Sequence, residues 1–553
     1  MTLLLWHSVL RPILLTTGVM LLSGCMKVGP DYVRPQTSVS PSWPAARDER
    51  VKTEPAEYRE WWKAFNDPVL DRVVDQAYRE NLTLKIAGVR VLEARAQLGI
   101  AVGSLYPQTQ QADGSLLYNR TSERSSTAAS AQTAGGSGGL PDDKVKPRQT
   151  NQSNIQFGFS QDQIGLNAAW EIDFWGKFRR AIESADAALL AAVADYDSAL
   201  VTLTADAASS YIQIRTIGKR LEIALRNVET QKESLQIAEA RYQGGVTSEL
   251  DVEQARTALF NTQATVPVLK AQLTQAENAL SILLGLPPGN IEDVLDGARD
   301  IPAPPPQVAV GIPADLLRRR PDVRSAELQA ATQSALIGVA KAELLPAFSL
   351  TGSFGFLSTD LGRFSLSDIA DWRSRTASAG PSFQWNILNY GRITNNVRLQ
   401  DARFQELLIS YQNTVLKAQQ EVEDSLAGFL SAQENAEYLA RSAHSAKSSY
   451  DLALIQYQQG IADFTTVLTS QLSLLATQES LANALGSISS NLVGVYRALG
   501  GGWQIREGHD LVPPETREVM AKRTNWGKLL DTAVYIPPTS VPGPGHEVRL
   551  PDW

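Results

Sequence analysis

The sequence predicts an α+β protein in which one unit, made of β-strands and a very long helical hairpin, occurs twice. Residues that are typical of turns and sheets recur at a constant spacing along the chain. Aromatic residues alternate with polar ones in several stretches, which is typical of β-strands with one apolar face. Between these stretches, apolar residues recur every three or four positions over far greater lengths than in an ordinary helix.

Composition excludes several classes of function. The chain has 553 residues and a net charge of −8, from 51 Lys and Arg against 59 Asp and Glu. This balance argues against a nucleic-acid-binding surface, which requires clustered basic residues. The four histidines are far apart and lack the spacing of metal ligands, so we expect no metal site. No Walker loop, HExxH or GxSxG motif is present, and we expect neither catalytic residues nor an enzyme cofactor.

The first 24 residues have the pattern of an export signal. Residues 12–22 are mostly apolar and follow a basic residue, and they are too few to span a bilayer, which takes ~20 residues. The stretch LSGC, residues 22–25, resembles the lipobox of bacterial lipoproteins. This resemblance implies that Cys25 becomes the mature N-terminus and carries a diacylglycerol and an N-acyl chain. Met26 after it favours sorting to the outer membrane.

The two copies are recognised by a constant spacing. Tyr242 and Tyr457 are 215 residues apart (457 − 242), and several glycines and tryptophans share this spacing. They are Gly165 with Gly380, Trp170 with Trp385, Gly176 with Gly391, and Gly245 with Gly460. Upstream the spacing is 239 (346 − 107), between Pro107 and Pro346. The longer spacing indicates an insertion in the first copy, which we place in the flexible Ser/Gly/Ala-rich residues 121–144.

Each copy begins with a helical stretch, residues 82–105 or 322–345, and continues with two strands. The strands are predicted from alternating apolar residues. In the first copy these are Ile155, Phe157 and Phe159, then Leu166, Ala168, Trp170, Ile172 and Phe174; in the second they are Phe348, Leu350, Phe354 and Phe356, then Phe383, Trp385 and Ile387. A strand in QTQQADGSLLYN, after Pro107, has the weakest pattern and is predicted mainly from the repeat.

A long helical hairpin follows the strands in each copy. Apolar or small residues recur at steps of three and four from Leu189 to Tyr242 and from Phe404 to Tyr457, which indicates a coiled-coil seam. The first of these helices, counted from Gly176, would be roughly 100 Å long. Pro267 in the returning helix should kink it or mark a local break.

The strands also decide how such a chain could cross a membrane. Beyond the export signal, we expect no stretch apolar enough for a transmembrane helix, so a membrane-spanning part must be a closed barrel. One chain has only four strands, and two chains would give eight, whose interior side chains fill. Three chains with twelve strands are the smallest assembly with a lumen. The alternative is a non-channel periplasmic coiled-coil lipoprotein whose strands pack on its own helices.

Several stretches, in order, resemble outer-membrane efflux factors of the TolC-like class, in the lipoprotein branch that serves RND-type pumps (the NodT-type family). They are VGPDYVRP (28–35), WWKAFNDPVLDRVVDQAYRENLTL (61–84), WEIDFWGKFRRAIESADA (170–187), IPADLLRRRPDVRSAE (312–327), LLPAFSLTGSFG (344–355) and YRALGGGW (496–503). Each is weak alone, whereas the ordered set together with the repeat is specific.

The resemblance implies a homotrimer that shares one twelve-stranded barrel in the outer membrane, continuous with a long periplasmic α-helical barrel. We divide the chain into an export signal (1–24), a lipidated N-terminal equatorial segment (25–81), repeat 1 (82–290) and an equatorial connector (291–320), followed by repeat 2 (321–499) and a C-terminal equatorial segment with a disordered Pro/Gly-rich tail (500–553). The implied location is the outer membrane of a Gram-negative bacterium.

The implied function is that of a passive exit channel for drugs or other small toxic compounds. The implied partners are a periplasmic adaptor protein and an inner-membrane RND-type pump, which supplies the energy. A type I protein-secretion conduit has the same architecture and stays open as an alternative. Metal-ion efflux is not supported by four Met and four scattered His residues.

The candidate functional residues lie at the turns of the two hairpins, where the resemblance places a closed periplasmic aperture. The stretches RYQGGVTSEL and QYQQGIADFT supply a glycine for each chain reversal. The candidates are Tyr242, Gly245, Glu249, Asp251 and Gln254 in the first hairpin, and Tyr457, Gly460, Asp463, Thr465 and Thr469 in the second. Relatives often carry an acidic residue at the position of Thr469, so an acidic ring there is in doubt, and Asp463 is the candidate to replace it.

Overall fold

The computed structural model describes residues 27–54, 58–120, 158–289, 291–296, 300–313, 319–360 and 365–531. The predictions for the export signal, the lipidated Cys25, the insertion at 121–144 and the Pro/Gly-rich tail after residue 535 concern residues outside these ranges. So do Ile155 and Phe157, the first two residues of a predicted strand pattern.

The described elements follow one another in the order that the repeat predicts. The strands are β1 Val51–Lys52, β2 Thr109–Arg120, β3 Gly158–Ile172, β4 Val308–Ala309, β5 Ala347–Thr359 and β6 Arg375–Gln384. The helices are α1 Pro68–Glu80, α2 Leu82–Gly103, α3 Lys177–Gln243, α4 Glu249–Leu283, α5 Glu292–Leu295, α6 Pro321–Ala342, α7 Arg392–Gln458, α8 Phe464–Ala498 and α9 Pro514–Arg523.

Helix lengths confirm the internal repeat. The long helices α3 and α7 both have 67 residues, and the returning helices α4 and α8 both have 35. The helices that precede the strands, α2 and α6, both have 22. Each pair of hairpin helices therefore starts and ends at equivalent positions of the two copies.

The chain divides into two compact units. The sheet unit comprises Met1–Pro30, Gly99–Ile182 and Ala335–Gln400. The hairpin unit comprises Asp31–Leu98, Glu183–Ser334 and Asp401–Trp553. The boundaries between them fall inside α2, α3, α6 and α7.

The sheet unit contains one antiparallel sheet with the strand order β2-β3-β5-β6. Gly165 pairs with Gly355 and Trp170 pairs with Leu350, so the strands of the two copies meet at the centre of the sheet. Within the described residues, β2 and β6 each pair on one side only. All four predicted strands are present, including the weakly patterned β2.

The strand boundaries differ from the prediction at two ends. Trp385 and Ile387 continue the alternation of β6 but lie beyond its last residue, Gln384. Phe174 likewise lies beyond β3, which ends at Ile172. The Trp385 indole N–H donates to the carbonyl oxygen of Leu344 at 3.0 Å. Side-chain alternation thus continues past the backbone ladder, since it reports which face a residue occupies and not where pairing stops.

The sheet has one apolar face and one polar face, as predicted. Leu166 pairs with Phe354 and Ile172 with Phe348, so that apolar side chains of neighbouring strands are side by side. On the other face the Asn167 amide donates to the Asp113 carboxylate, and the hydroxyl groups of Ser353 and Ser378 are 2.8 Å apart. Leu166 is nevertheless 61% exposed and Phe383 is 71% exposed. The described residues therefore leave much of the apolar face uncovered.

In the hairpin unit, the core joins segments that are distant in sequence. Trp61 is 2% exposed and stacks on Tyr496 with ring centroids 5.2 Å apart. The short parallel pair β1–β4 adds the connector, since Val51 pairs with Val308 and both are buried. The residues before α1, the connector and the residues after α8 thus share one hydrophobic core.

A buried charge cluster also holds the hairpin unit together. Asp197 on α3 is fully buried, and its carboxylate accepts hydrogen bonds from Arg506 and, at 2.7 Å, from Arg324 on α6. Burial raises the pKa of Asp197, and the two guanidinium groups oppose this effect. Because a charge that leaves water needs close partners, the three residues stabilise the unit only as a set.

Two predictions about the helices are wrong. Pro267 does not interrupt its helix, because α4 runs without a break from Glu249 to Leu283. We also expected no stretch after the export signal to be apolar enough for a membrane span, yet α3 contains an 18-residue window that passes by length and composition. That window is 61% buried within the chain, as in the core helix of a soluble protein.

Candidate functional site

Both hairpins turn with the same backbone geometry. In the first, the N–H of Gly245 donates to the Tyr242 carbonyl at 2.9 Å and that of Val246 to the Arg241 carbonyl at 2.9 Å. In the second, Gly460 donates to Tyr457 at 3.0 Å and Ile461 to Gln456 at 2.9 Å. Gly245 has a φ of +69° and Gly460 of +77°. Each helix therefore ends in a Schellman motif, in which glycine takes the left-handed conformation.

The start of the returning helix differs between the two tips. Asp463 precedes α8, and its carboxylate accepts from the Thr466 N–H at 3.0 Å and from the Thr466 hydroxyl at 2.8 Å. Ser248, the equivalent residue before α4, makes no such side-chain bond. The second tip is therefore capped by an ionised residue, which also complements the positive end of the helix dipole.

The two tips are joined by Arg241. Its Nη1 donates to the backbone carbonyl of Tyr457 at 2.6 Å and to that of Gln458 at 3.2 Å. Its guanidinium carbon lies 4.5 Å from the centre of the Tyr457 ring. One side chain of α3 thus satisfies carbonyl groups at the end of α7 and also makes a cation–π contact.

Tyr457 extends this contact to the returning helix of the first hairpin. Its hydroxyl donates to the Asp251 carboxylate at 3.4 Å, and the hydroxyl of Thr247 donates to the same oxygen. Tyr457 is 1% exposed and packs edge-on against Phe464, with ring centroids 5.4 Å apart. Burial raises the pKa of Tyr457, so that its hydroxyl stays protonated at neutral pH. We call Arg241, Tyr457 and Asp251 the tip contact.

The two predicted tyrosines occupy different environments. Tyr242 is 45% exposed, whereas its repeat equivalent Tyr457 is fully enclosed. Arg241 explains the difference, because the second copy has Gln456 at the equivalent position and offers no guanidinium to cover Tyr242. The structure therefore brings Tyr457 and Asp251 together and leaves Tyr242 at the surface.

The other predicted residues form no shared cluster. Gly245, Glu249, Gly460, Thr465 and Asp463 are exposed around the turns. The Thr469 hydroxyl donates back to the carbonyl of Thr465 at 2.9 Å and carries no charge. The Gln254 amide oxygen is buried and has no hydrogen-bond partner among the described residues.

Asp463 is the acidic group nearest in sequence to Thr469, and it remains exposed. The pKa of its carboxyl is lowered mainly by the Thr466 hydroxyl and then by the Thr466 N–H. It therefore stays ionised at neutral pH while it caps α8.

Sequence reasoning missed Arg241, Thr247 and Thr466, which hold the predicted residues in place. Arg241 was detectable, because it breaks the repeat immediately before the conserved spacing of the tyrosines. The described residues include no group of His, Cys, Asp and Glu that could hold a metal ion.

Comparison with known proteins gives a consistent result. The outer membrane efflux protein family model matches residues 73–286 and 312–501. The solvent efflux pump outer membrane protein SrpC of Pseudomonas putida is 32% identical over 503 residues, which are 89% of this chain and 98% of SrpC. Nodulation protein T of Rhizobium leguminosarum bv. trifolii is 30% identical over 88% of this chain and 96% of its own length.

Solved structures show the same fold. The outer-membrane channel OprN matches with a TM-score of 0.76 and 32% identity, over 86% of this chain and 100% of that chain. The CmeC outer membrane channel of Campylobacter jejuni matches with a TM-score of 0.73, over 90% of this chain and 98% of that chain. At 24% identity, CmeC supports the fold alone.

Proposed function

Since the chain belongs to the outer membrane efflux protein family, we propose that it is the outer-membrane exit channel of a tripartite efflux system. The relatives SrpC and TtgI are named as outer membrane proteins of efflux pumps, and OprN as an outer-membrane channel. The channel would work with a periplasmic adaptor and an inner-membrane RND-type pump. Transport through it would be passive, and the chain itself would catalyse no reaction.

The observation that carries this proposal is the uncovered sheet. Its apolar face is exposed along β3, β5 and β6, and its edge strands are each paired on one side only within the described residues. Lipid covers such a face without cost, and equivalent edges of further copies satisfy the open backbone groups. A homotrimer would close the sheet into a barrel of twelve strands. Lipid chains on Cys25 would add an anchor.

We propose that the transported compounds are small organic molecules. The relatives are named for different compounds: SrpC for solvent, TtgI for toluene and OpmQ for pyoverdine. Proteins with this fold therefore serve pumps of differing specificity, as expected if the pump and not the exit channel selects the compound.

We further propose that the hairpin tips form the periplasmic aperture and that the tip contact favours its closed form. Arg241, Tyr457 and Asp251 link the first and second hairpins through hydrogen bonds and a cation–π contact. Opening the aperture would separate the two hairpins and break these contacts. Docking of the adaptor would then have to compensate for their loss.

The full-length protein in its own cell envelope provides the test. We expect a heat-stable trimer in the outer-membrane fraction, ion conductance after reconstitution into planar bilayers, and increased sensitivity of a deletion strain to a panel of solvents, dyes and antibiotics. Reintroduction of the wild-type gene should restore resistance. A soluble monomer without conductance, from a strain whose resistance is unchanged by deletion, would refute the proposal.

A further inference from the structure

A cavity of about 750 Å³ lies in the hairpin unit, at residues that the channel function does not use. It is formed by the segment around Trp62, by α1, by Tyr196 of α3 and by residues 505–515 before and at the start of α9. Tyr196 and Tyr242 are on one continuous helix, so the cavity is about 70 Å along α3 from the first tip. Its volume is within the range of ligand-binding pockets.

The floor of the cavity is apolar and aromatic. Trp62, Leu511 and Val512 line it and are each at most 5% exposed. Tyr196 lines it too and is 3% exposed, and its hydroxyl forms no hydrogen bond with a described residue. This floor can take apolar groups, while one buried polar atom remains available for a hydrogen bond.

The rim of the cavity is acidic. Glu60, Asp75, Glu80 and Asp510 each form an ion pair with a basic residue, at N–O distances of 2.7 to 3.0 Å. Asp71 and Glu515 line the same cavity and form no ion pair with a described residue. One carboxylate oxygen of Asp71 is buried without any hydrogen-bond partner. Burial raises the pKa of Asp71, and nearby Lys63 opposes this effect.

Two unpaired carboxylates above an apolar floor select a ligand of defined chemistry. An anion would be repelled, and a neutral apolar group would leave the Asp71 oxygen buried without a partner. A guanidinium or ammonium group would pair with Asp71 and Glu515 while its apolar surroundings cover Trp62 and Tyr196. Arginine and lysine side chains flanked by apolar residues combine these properties.

We propose that this cavity is a docking site for a basic peptide segment, an Arg or Lys side chain flanked by apolar residues, of a periplasmic protein that binds the channel. The inference takes from the proposed function only that periplasmic proteins bind this chain. Its failure would leave conductance and resistance unaffected, so the two proposals are tested separately.

The test uses the purified full-length trimer in detergent and three peptides. They are acetyl-Leu-Arg-Leu-amide, the same peptide with Gln for Arg, and arginine amide without the leucines. By calorimetry, we expect the Arg peptide to bind and each of the other two to bind about tenfold more weakly. Its affinity should fall with added salt, because the contact is between charges near the surface.

Variants assign the binding to this cavity. The double variant Asp71→Asn/Glu515→Gln should weaken the Arg peptide about tenfold. Glu518→Gln is the matched control, because Glu518 is an exposed residue of α9 that does not line the cavity, and it should bind as wild type. Equal binding of the Arg and Gln peptides, equal binding of arginine amide, or no binding to the wild type would each overturn the proposal. These comparisons hold even if the double variant does not assemble.

Discussion

A single arginine makes the two tips different. Their backbones turn through the same pairs of hydrogen bonds, and their tyrosines are equivalent in the repeat. Arg241 in the first copy covers Tyr457 of the second, while Gln456 in the second copy is exposed and leaves Tyr242 uncovered. The contact between the hairpins therefore depends on one side chain that the repeat does not duplicate.

Arg241→Ala is expected to open the isolated channel. It removes a charge-assisted hydrogen bond and a cation–π contact, together worth about 2 kcal/mol of the closed form, which is about a thirtyfold change in the closed-to-open ratio. Single-channel recording in planar bilayers should show a higher mean conductance. Gln456→Ala, at the equivalent exposed position, is the matched control and should conduct as wild type. Equal conductance of wild type and Arg241→Ala would contradict a closing role for the tip contact.

Substitution of Asp463 separates capping from charge. Asparagine can still accept the Thr466 N–H as an N-cap but carries no charge, whereas alanine does neither. We expect Asp463→Ala to speed amide exchange at Thr466 several-fold and Asp463→Asn to leave it nearly unchanged. If cation selectivity falls equally in both variants, the carboxylate acts through its charge. Selectivity equal to wild type in Asp463→Asn would exclude an acidic ring at this position.

At the scale of the elements, the sheet has a close approach at its centre. Gly355 of β5 lies against β3 so closely that an added Cβ would be 2.5 Å from the carbonyl oxygen of Ile164 and 2.8 Å from the Cα of Gly165. At Gly352 of the same strand, an added Cβ would be 3.7 Å from the carbonyl oxygen of Ser378, which is ordinary contact. The two glycines thus serve different purposes.

Gly355→Ala should therefore destabilise the sheet by about 1–3 kcal/mol, as expected for overpacking. Gly352→Ala should change stability by at most about 0.5 kcal/mol. The measurement is the temperature at which the trimer dissociates in heat-modifiability gels. Equal dissociation temperatures for the two variants would show that the centre of the sheet relaxes to admit a methyl group.

The elements could largely be predicted from the sequence because the chain states its pattern twice. The weak alternation of β2 was supported by its better-patterned equivalent β5. Pro267 shows the limit of local reasoning, since α4 continues through it to Leu283. Loss of one backbone hydrogen bond did not end the helix, because packing along a long hairpin favours its continuation.

The candidate site was predictable in position but not in its contacts. The glycines located both turns, because a chain reversal after a helix favours a left-handed residue. Periodicity says nothing about which side chains of separate hairpins meet, so it could not show that Tyr457 is enclosed and Tyr242 exposed. The roles of Arg241 and Thr247 depend on packing between helices that are far apart in sequence.

At the scale of the whole molecule, the Asp197 cluster joins α3 and α6 to the residues after α8. Asp197→Asn would leave two largely buried guanidinium groups without their carboxylate, and it should cost about 3–5 kcal/mol. Asp206→Asn is the control, because the Asp206–Arg497 pair is about half exposed and is worth at most about 1 kcal/mol. Thermal dissociation of the trimer measures both, and similar values would mean that the cluster relaxes into contact with water.

The inequality of the tips sets the symmetry of anything that grips this end of the channel. In a homotrimer, three tips would present an exposed tyrosine and three would present a capped turn whose tyrosine is hidden. A ring of six identical contacts is then unavailable, although the backbone repeats six times. A partner must either bind in threes or meet alternate tips in two different ways, so duplication supplied the architecture and one unrepeated arginine fixed the stoichiometric rule.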